Sequence, residues 1–452
     1  MHFPLPGSSS ARRVSASMST ALFSLALALL PASVLAQSGP VSVSDGVAAV
    51  FQTMCDDVRV QRVLQQLQES EPETLAEQIR LTEIAAPPFM EQVRAEYYLQ
   101  QMRRRGLADA YIDTEGNVIG LRKGSGDGPL FVIAAHLDTV FPPETDVRVE
   151  LRDGRYYAPG IGDDGRGLTA LLALIDAFTR SGIATVGDIM FVGNVGEEGP
   201  GDLRGVKAIF RDHPGIDGFV SIDGSGLQNV TTGATGSRRF AVEFTGPGGH
   251  SFGAFGMVSA IHAMGRAITK IGDLEVPSQP KTTFTVGTVA GGTSVNSIAA
   301  DAVLELDMRS NDGAELAKLE ARVREATQQA VAEENARWNN KGAISVNFRL
   351  IGDRPVGSTP AQNPLVQVAS LAYAAVGSPL QELRISSTDS NIPMSMGIPA
   401  ITIGGGGDSG GSHSPQEWYD PQDSHLGPQM AFLLTLGLVG IEGLTQPLML
   451  RQ

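Results

Sequence analysis

The chain has 452 residues, 42% of them hydrophobic, and a formal net charge of −15. That length admits two domains, and the hydrophobic share supports a large core rather than a disordered chain. The acidic excess argues against nucleic acid or an anionic membrane surface as a partner.

Arg12 and Arg13 precede an apolar run over residues 21–30, and Val34-Leu35-Ala36 supplies compact residues at a cleavage point. This pattern predicts a signal peptide over residues 1–36 and an exported protein, periplasmic or secreted. The run is too short to span a bilayer, so no stable membrane insertion is expected after cleavage. Losing Arg12 and Arg13 would take the net charge from −15 to −17. Cys55 is the one cysteine, which excludes an intramolecular disulfide and leaves helix packing as its expected role.

Apolar residues at helical spacing predict a helix over 43–69, another over 73–85 and, after Pro87-Pro88, a third over 90–105. Gly116-Asn117 marks the turn of a hairpin over 110–122, and Asp153-Gly154 that of a second over 147–157. Between the hairpins, Phe131-Val132-Ile133-Ala134-Ala135 runs into His136-Leu137-Asp138. A short continuous apolar run reads as a buried strand of a largely parallel sheet, and chemistry collects at the carboxyl ends of such strands. Asp163-Asp164 follows in a glycine-crowded loop before an apolar helix over 168–178. A strand over 188–192 leads to Glu197-Glu198, and one over 216–222 leads to Asp223.

From residue 237 the pattern changes. Strands over 239–244, 282–289, 300–308 and 343–350 alternate with helices over 256–271 and 313–338. The order strand, helix, two strands, helix, strand predicts a ferredoxin-like α+β domain inserted at 237–354. The first domain, residues 37–236, then resumes over 355–452. It adds helices over 363–376 and 427–444 and a strand over 399–403, which runs into a glycine loop and Ser412-His413-Ser414. The glycine runs are not phosphate loops, because no Lys-Ser/Thr follows and no helix opens at once.

His136, Asp163, Glu197, Glu198, Asp223 and His413 thus all follow apolar or glycine-flanked segments. Imidazoles with carboxylates and no thiolate suit zinc, or less selectively cobalt or manganese. Asp138 is placed to hold the second ring nitrogen of His136 and fix its tautomer. Of two adjacent glutamates, one can bind metal while the other takes a proton from water. Asp163, in the tight loop, is the candidate to bridge two ions.

These motifs resemble the co-catalytic zinc metallopeptidases that include peptidase T, carboxypeptidase G, aminoacylase, acetylornithine deacetylase and succinyl-diaminopimelate desuccinylase. The resemblance covers about residues 75–440. It implies a mixed, largely parallel sheet flanked by helices, of the zinc exopeptidase type, carrying a lid. It implies two divalent ions per chain, zinc first, with His136, Asp163, Glu198, Asp223 and His413 as ligands and Asp163 bridging. Glu197 matches the catalytic base and Asp138 the orienting acid. The segment 237–354 resembles the family's lid and dimerisation domain, which admits a homodimer. There His250, in Gly249-His250-Ser251, matches a histidine that reaches the reacting carbonyl, and Asn296 and Arg309 match contacts to a substrate carboxylate. Gly165 stands where many members carry lysine, which bears on the packing of that loop. In the family, an Asp at the position of Asp223 accompanies aminopeptidases and dipeptidases more often than deacylases. The expected function is therefore exopeptidase action on short peptides, of the peptidase T kind. The alternatives are an N-acyl amino acid amidohydrolase or carboxypeptidase, and a non-catalytic binding protein on the same fold.

Overall fold

The computed structural model describes residues 41–451. Its central element is a nine-stranded mixed sheet. Four strands at its middle, Asp188–Asn194, Leu130–His136, Gly218–Ile222 and Ala400–Ile403, are mutually parallel. Val118–Arg122 and Asn229–Ala234 flank them as antiparallel neighbours. Because the four are parallel and in register, their carboxyl ends meet at one edge: His136 lies beside Asn194, and Ile222 beside Ile403.

The alternation of side chains along Leu130–His136 explains its unbroken apolar run. Phe131, Ile133 and Ala135 face one buried core, built with the helices Gly165–Arg180 and Leu426–Val439. Val132 and Ala134 face a second core, completed by the helix Arg204–Asp212. Both faces are covered, so no polar residue is tolerated until the strand ends at His136.

The helix expected over 43–69 is two helices, Asp45–Cys55 and Val58–Glu69. Asp57 starts the second by accepting the Arg59 N–H at 2.7 Å. Aspartate competes with the helical backbone for such donors, and the apolar spacing that persists across the break hid it. Cys55 is buried, and burial raises its thiol pKa to about 12, which fits a packing role. The helix Gly165–Arg180 opens directly from the glycine loop, earlier than its apolar stretch suggested. The strand Asn229–Ala234 and the helix Arg204–Asp212 were not expected from the sequence.

A second sheet orders the strands Thr282–Gly291, Asp301–Ser310, Gly236–Thr245 and Ser345–Arg354, all antiparallel. The helices Ala260–Gly272 and Gly313–Arg337 pack on it. Its core is its own: Phe240, Val242, Leu304 and Leu306 meet Ala263, Leu319 and Val323. A small third sheet joins Asp408–Gly410 and Trp418–Asp420 to Arg155–Tyr157 and Glu150–Arg152. It sets the loop holding His413 against the loop holding Asp163. Among the described residues, no helix is long and apolar enough to cross a membrane.

Candidate metal centre

His136 ends its strand almost wholly buried. Its Nε2 lies 3.0 Å from Asp163 Oδ1 and 3.9 Å from Asp223 Oδ1. Asp163 Oδ2 in turn lies 3.4 Å from His413 Nε2, and Glu198 Oε1 lies 2.9 Å from the same nitrogen. The two oxygens of Asp163 therefore face two different histidines. The ligand atoms of His136, Asp163 and Glu198 all fall within 4.8 Å of one another, as do those of His136, Asp164 and Asp223.

The role expected of Asp138 is corrected in its detail. His136 Nδ1 contacts the main-chain oxygen of Asp138 at 3.0 Å, while the Asp138 carboxylate lies 3.8 Å away. That carboxylate instead accepts the N–H groups of Glu197 and Glu198, at 3.1 and 2.8 Å. A residue two positions beyond the strand end has turned its main chain to the imidazole and its side chain to the neighbouring strand's exit.

Two further carboxylates, unassigned from the sequence, hold the loop of Asp163. Glu417 accepts the N–H groups of Gly160, Gly162 and Asp163 at 2.8, 2.8 and 2.9 Å. Asp164 accepts His136 N at 3.1 Å, Gly167 N at 3.0 Å and Gly224 N at 3.0 Å. Asp164 thus caps the helix Gly165–Arg180 and ties the exits of two strands to it. At Gly165 a Cβ would meet Gly160 O at 2.9 Å and Thr82 Oγ1 at 2.8 Å, so this loop has no room for the lysine of other members.

The charges respond to this crowding. Burial opposes the imidazolium of His136, yet the hydrogen bond to Asp163 and the nearby carboxylates carry its pKa well above the usual range. His413 rises to about 10 through its hydrogen bonds to Asp163 and Glu198. Burial lifts Asp223 to about 7, with repulsion from Asp163 adding to it. Burial also drives Glu197 well above the ordinary carboxylate value, partly offset by Arg354. Clustered acids and imidazoles that polarise one another mark a functional site. A nitrogen and oxygen donor set converging from five chain segments fits divalent cations of the zinc, cobalt and manganese kind.

Glu197 stands apart from the histidines. Its Oε1 accepts from Arg354 Nη1 at 3.2 Å, and Arg354 Nη2 donates to its main-chain oxygen. Sequence reasoning missed Arg354, which lies 157 positions away at the end of a strand in the other sheet. The three proposed substrate contacts are elsewhere. His250 lies in a short exposed strand, Gly249–His250, paired with Ser297–Ile298, and Asn296 lies in the turn before the latter, with Ser251 N donating to Asn296 O at 2.9 Å. Arg309 pairs with Asp307 at 2.7 Å. None of the hydrogen bonds or ion pairs found among the described residues joins these three to the His136 cluster.

Peptidase family M20/M25/M40 matches residues 132–436, the span that holds all of these groups. The chain belongs to that family. A protein assigned as a LysW-lysine/LysW-ornithine hydrolase in Pyrococcus furiosus is 34% identical over 166 residues, 37% of this chain and 45% of that protein. The chain therefore spans less than half the length of this relative. Succinyl-diaminopimelate desuccinylase of Bordetella avium is 25% identical over 54% of this chain and 71% of that enzyme. Among solved structures, a tripeptidase from Staphylococcus aureus superposes with a TM-score of 0.65 at 22% identity, covering 80% of this chain and 97% of that one. A dinuclear metal-binding peptidase of the same family from Bacillus subtilis covers 82% of this chain and 99% of its own, with a TM-score of 0.59 at 15% identity. The mixed, largely parallel fold and the expectation of an amide-bond hydrolase stand with these matches.

The relatives correct one expectation. Export to the periplasm or medium is not retained: it was read from residues 1–36 alone, and the relatives are hydrolases of LysW-lysine and LysW-ornithine by name. An apolar run after two arginines resembles an export signal by composition alone. The residues from which export was read, 1–36, lie outside the described ones.

Proposed function

We propose that this chain is a two-metal exopeptidase acting on short peptides, with zinc as the first candidate ion. One observation supports it above the others: Asp163 presents its two oxygens to two histidines, the arrangement a bridging carboxylate requires. His136 and Asp223 would hold one ion, Glu198 and His413 the other, and Asp163 both. Ions so held supply Lewis acidity at the scissile carbonyl and acidify the attacking water. Glu197 takes the proton of that water through Oε2, which carries no hydrogen bond among the described residues, and delivers it to the departing nitrogen as the C–N bond breaks. His250 donates to the developing oxyanion once the inserted domain closes as a lid. A cleft of about 1040 Å³ beside Asp163 and Asp223 is lined by Ser225, Asn229, Thr231, Arg384 and Ser412, which suits a polar substrate.

A second reading has its own support. The curated relatives release lysine, ornithine or diaminopimelate derivatives by their printed names, which favours hydrolysis of an amide on a diamino acid. A panel of short peptides and N-acylated lysine, ornithine and diaminopimelate, assayed with zinc, cobalt and manganese, separates the two. Cleavage of the peptides, abolished by a chelator and restored by metal, is expected. Turnover of the acylated diamino acids alone would transfer the assignment to the second reading. No chelator-sensitive turnover would leave a binding protein.

A further inference from the structure

We infer that the root of the inserted domain clamps the segment that carries Glu197 and Glu198, with Arg354 as the positioning residue for Glu197. The inference rests on the reading of Glu197 as the base and concerns what aims it. The segment is not held by its own backbone preferences. Gly196, Gly199, Asp202 and Leu203 all lie in the left-handed region, at φ of 71°, 44°, 53° and 58°. Asp202 and Leu203 are not glycine, and such residues keep that conformation only where their surroundings impose it.

The surroundings come from the other sheet. Arg239 Nη1 donates to Gly199 O at 2.8 Å. The main-chain N–H of Asp353 donates to Asp202 Oδ1 at 2.8 Å. Lys207 Nζ joins Asp202 Oδ2 at 2.6 Å to Asp353 O at 3.0 Å. Arg354 grips the carboxylate and the carbonyl of Glu197 together and reaches Ser387 Oγ at 3.1 Å. Arg239, Asp353 and Arg354 sit where the strands Gly236–Thr245 and Ser345–Arg354 meet the first domain, and Gly352 pairs with Arg239 there. Both connections of the inserted domain therefore bear on one eight-residue stretch. A rigid rotation of that domain about them carries the clamp, and with it Glu197.

Arg354 and Glu197 are both buried, at 5% and 6% exposure, so neither charge has water as a substitute partner. The fork of Arg354 fixes two atoms of Glu197 at once, which a point charge cannot do. Glu198 is not gripped this way; its N–H is held by Asp138 and its carboxylate faces His413. Arg354 thus aims the carboxylate of the base, while the carboxylate of the ligand beside it is aimed by His413.

The test is a double-substitution cycle in the metal-loaded protein, using whichever panel substrate turns over. Arg354→Gln is expected to lower kcat at least about tenfold with KM within about twofold and two ions retained, and Arg354→Lys to recover part of the loss. In a Glu197→Gln background, Arg354→Gln should cost less than about threefold more, since its effect runs through Glu197. A raised KM at unchanged kcat, or losses that multiply in the double variant, would overturn the proposal. Hydrogen exchange gives a readout independent of turnover. Arg239→Ala should speed exchange of the Gly201 and Leu203 amides about tenfold while the parallel strands stay protected. Unchanged exchange there would overturn the clamp even if no substrate were found. Absent turnover by the wild type bears instead on the hydrolase reading.

Discussion

His136 and His250 show two ways of presenting an imidazole. His136 is almost wholly buried, its N–H is held by Asp164, and both ring nitrogens have protein contacts. His250 sits exposed at the end of a two-residue strand, where its Nδ1 accepts the N–H groups of Phe252 and Gly253 at 3.2 and 3.3 Å. An Nδ1 that accepts leaves the proton on Nε2, so the outer edge of His250 is a donor. His136 is fixed before any ion arrives, through its main chain and both ring nitrogens. The oxyanion donor proposed at His250 instead faces outward, on the inserted domain that would bring it to the substrate. In the proposed function the buried cluster would hold the ions, and the exposed tip would complete the site from the inserted domain.

The largest expected effect lies in the buried half. Asp163→Ala should remove both ions and all turnover, because each histidine loses its shared carboxylate. Elemental analysis that finds two ions still bound would break the distinction between a bridge and an ordinary ligand. Next comes the acid pair. Glu197→Gln should keep both ions while kcat falls by on the order of 10²–10⁴, the usual size of a general-base contribution. Glu198→Gln should lose one ion and regain part of its activity in excess zinc. Metal lost at Glu197 and kept at Glu198 would mean that the two roles are reversed.

In the exposed half, His250→Ala should lower kcat by about 10²–10³, the cost of one oxyanion donor, with metal content and melting temperature unchanged. His250→Gln places an amide N–H near Nε2 and should recover part of the rate. A change in metal content at His250 would erase the contrast with His136.

The smallest effect is in pH dependence. The folded-state pKa of His413 is raised to about 10 by its hydrogen bonds to Asp163 and Glu198. Stabilisation from the protonated ring is thus complete below its ordinary value of 6.5 and fades as pH rises toward 10. Ion binding needs the neutral ring and runs the other way. Chelator-treated protein should lose melting temperature as pH is raised from about 6.5 to 9, while the gain on adding zinc should grow. A zinc-induced gain that stays flat across that range would remove His413 from the ligand set.

The legible part of this site is the part delivered by strand ends. An apolar run that stops at a polar residue marks where a buried parallel strand leaves the sheet, and that logic located His136, the Glu197-Glu198 pair and Asp223. It also yielded the βαββαβ order of the second sheet, since each element there keeps its own period. The groups it missed act across the chain. Glu417 serves amides more than 250 positions upstream, and Arg354 reaches Glu197 from another sheet. No local pattern announces such partners, because each is a charged residue in a loop or at a strand end. Asp138 shows a finer limit: its position was legible, but which of its atoms would face His136 depended on how the chain turned after the strand.

One carboxylate bears on how this centre could change its metal. Asp164 fastens the exits of His136 and Asp223 to the helix that follows Asp163, so three donors from separate segments are held to a common fixture. An evolving or engineered variant cannot easily shift one of these donors without disturbing the others. His413 hangs from a loop outside that fixture and is more than half exposed. With the five proposed ligands, metal preference would therefore be most readily retuned from the His413 side, by substitutions in its loop, while the remaining geometry is inherited with the scaffold.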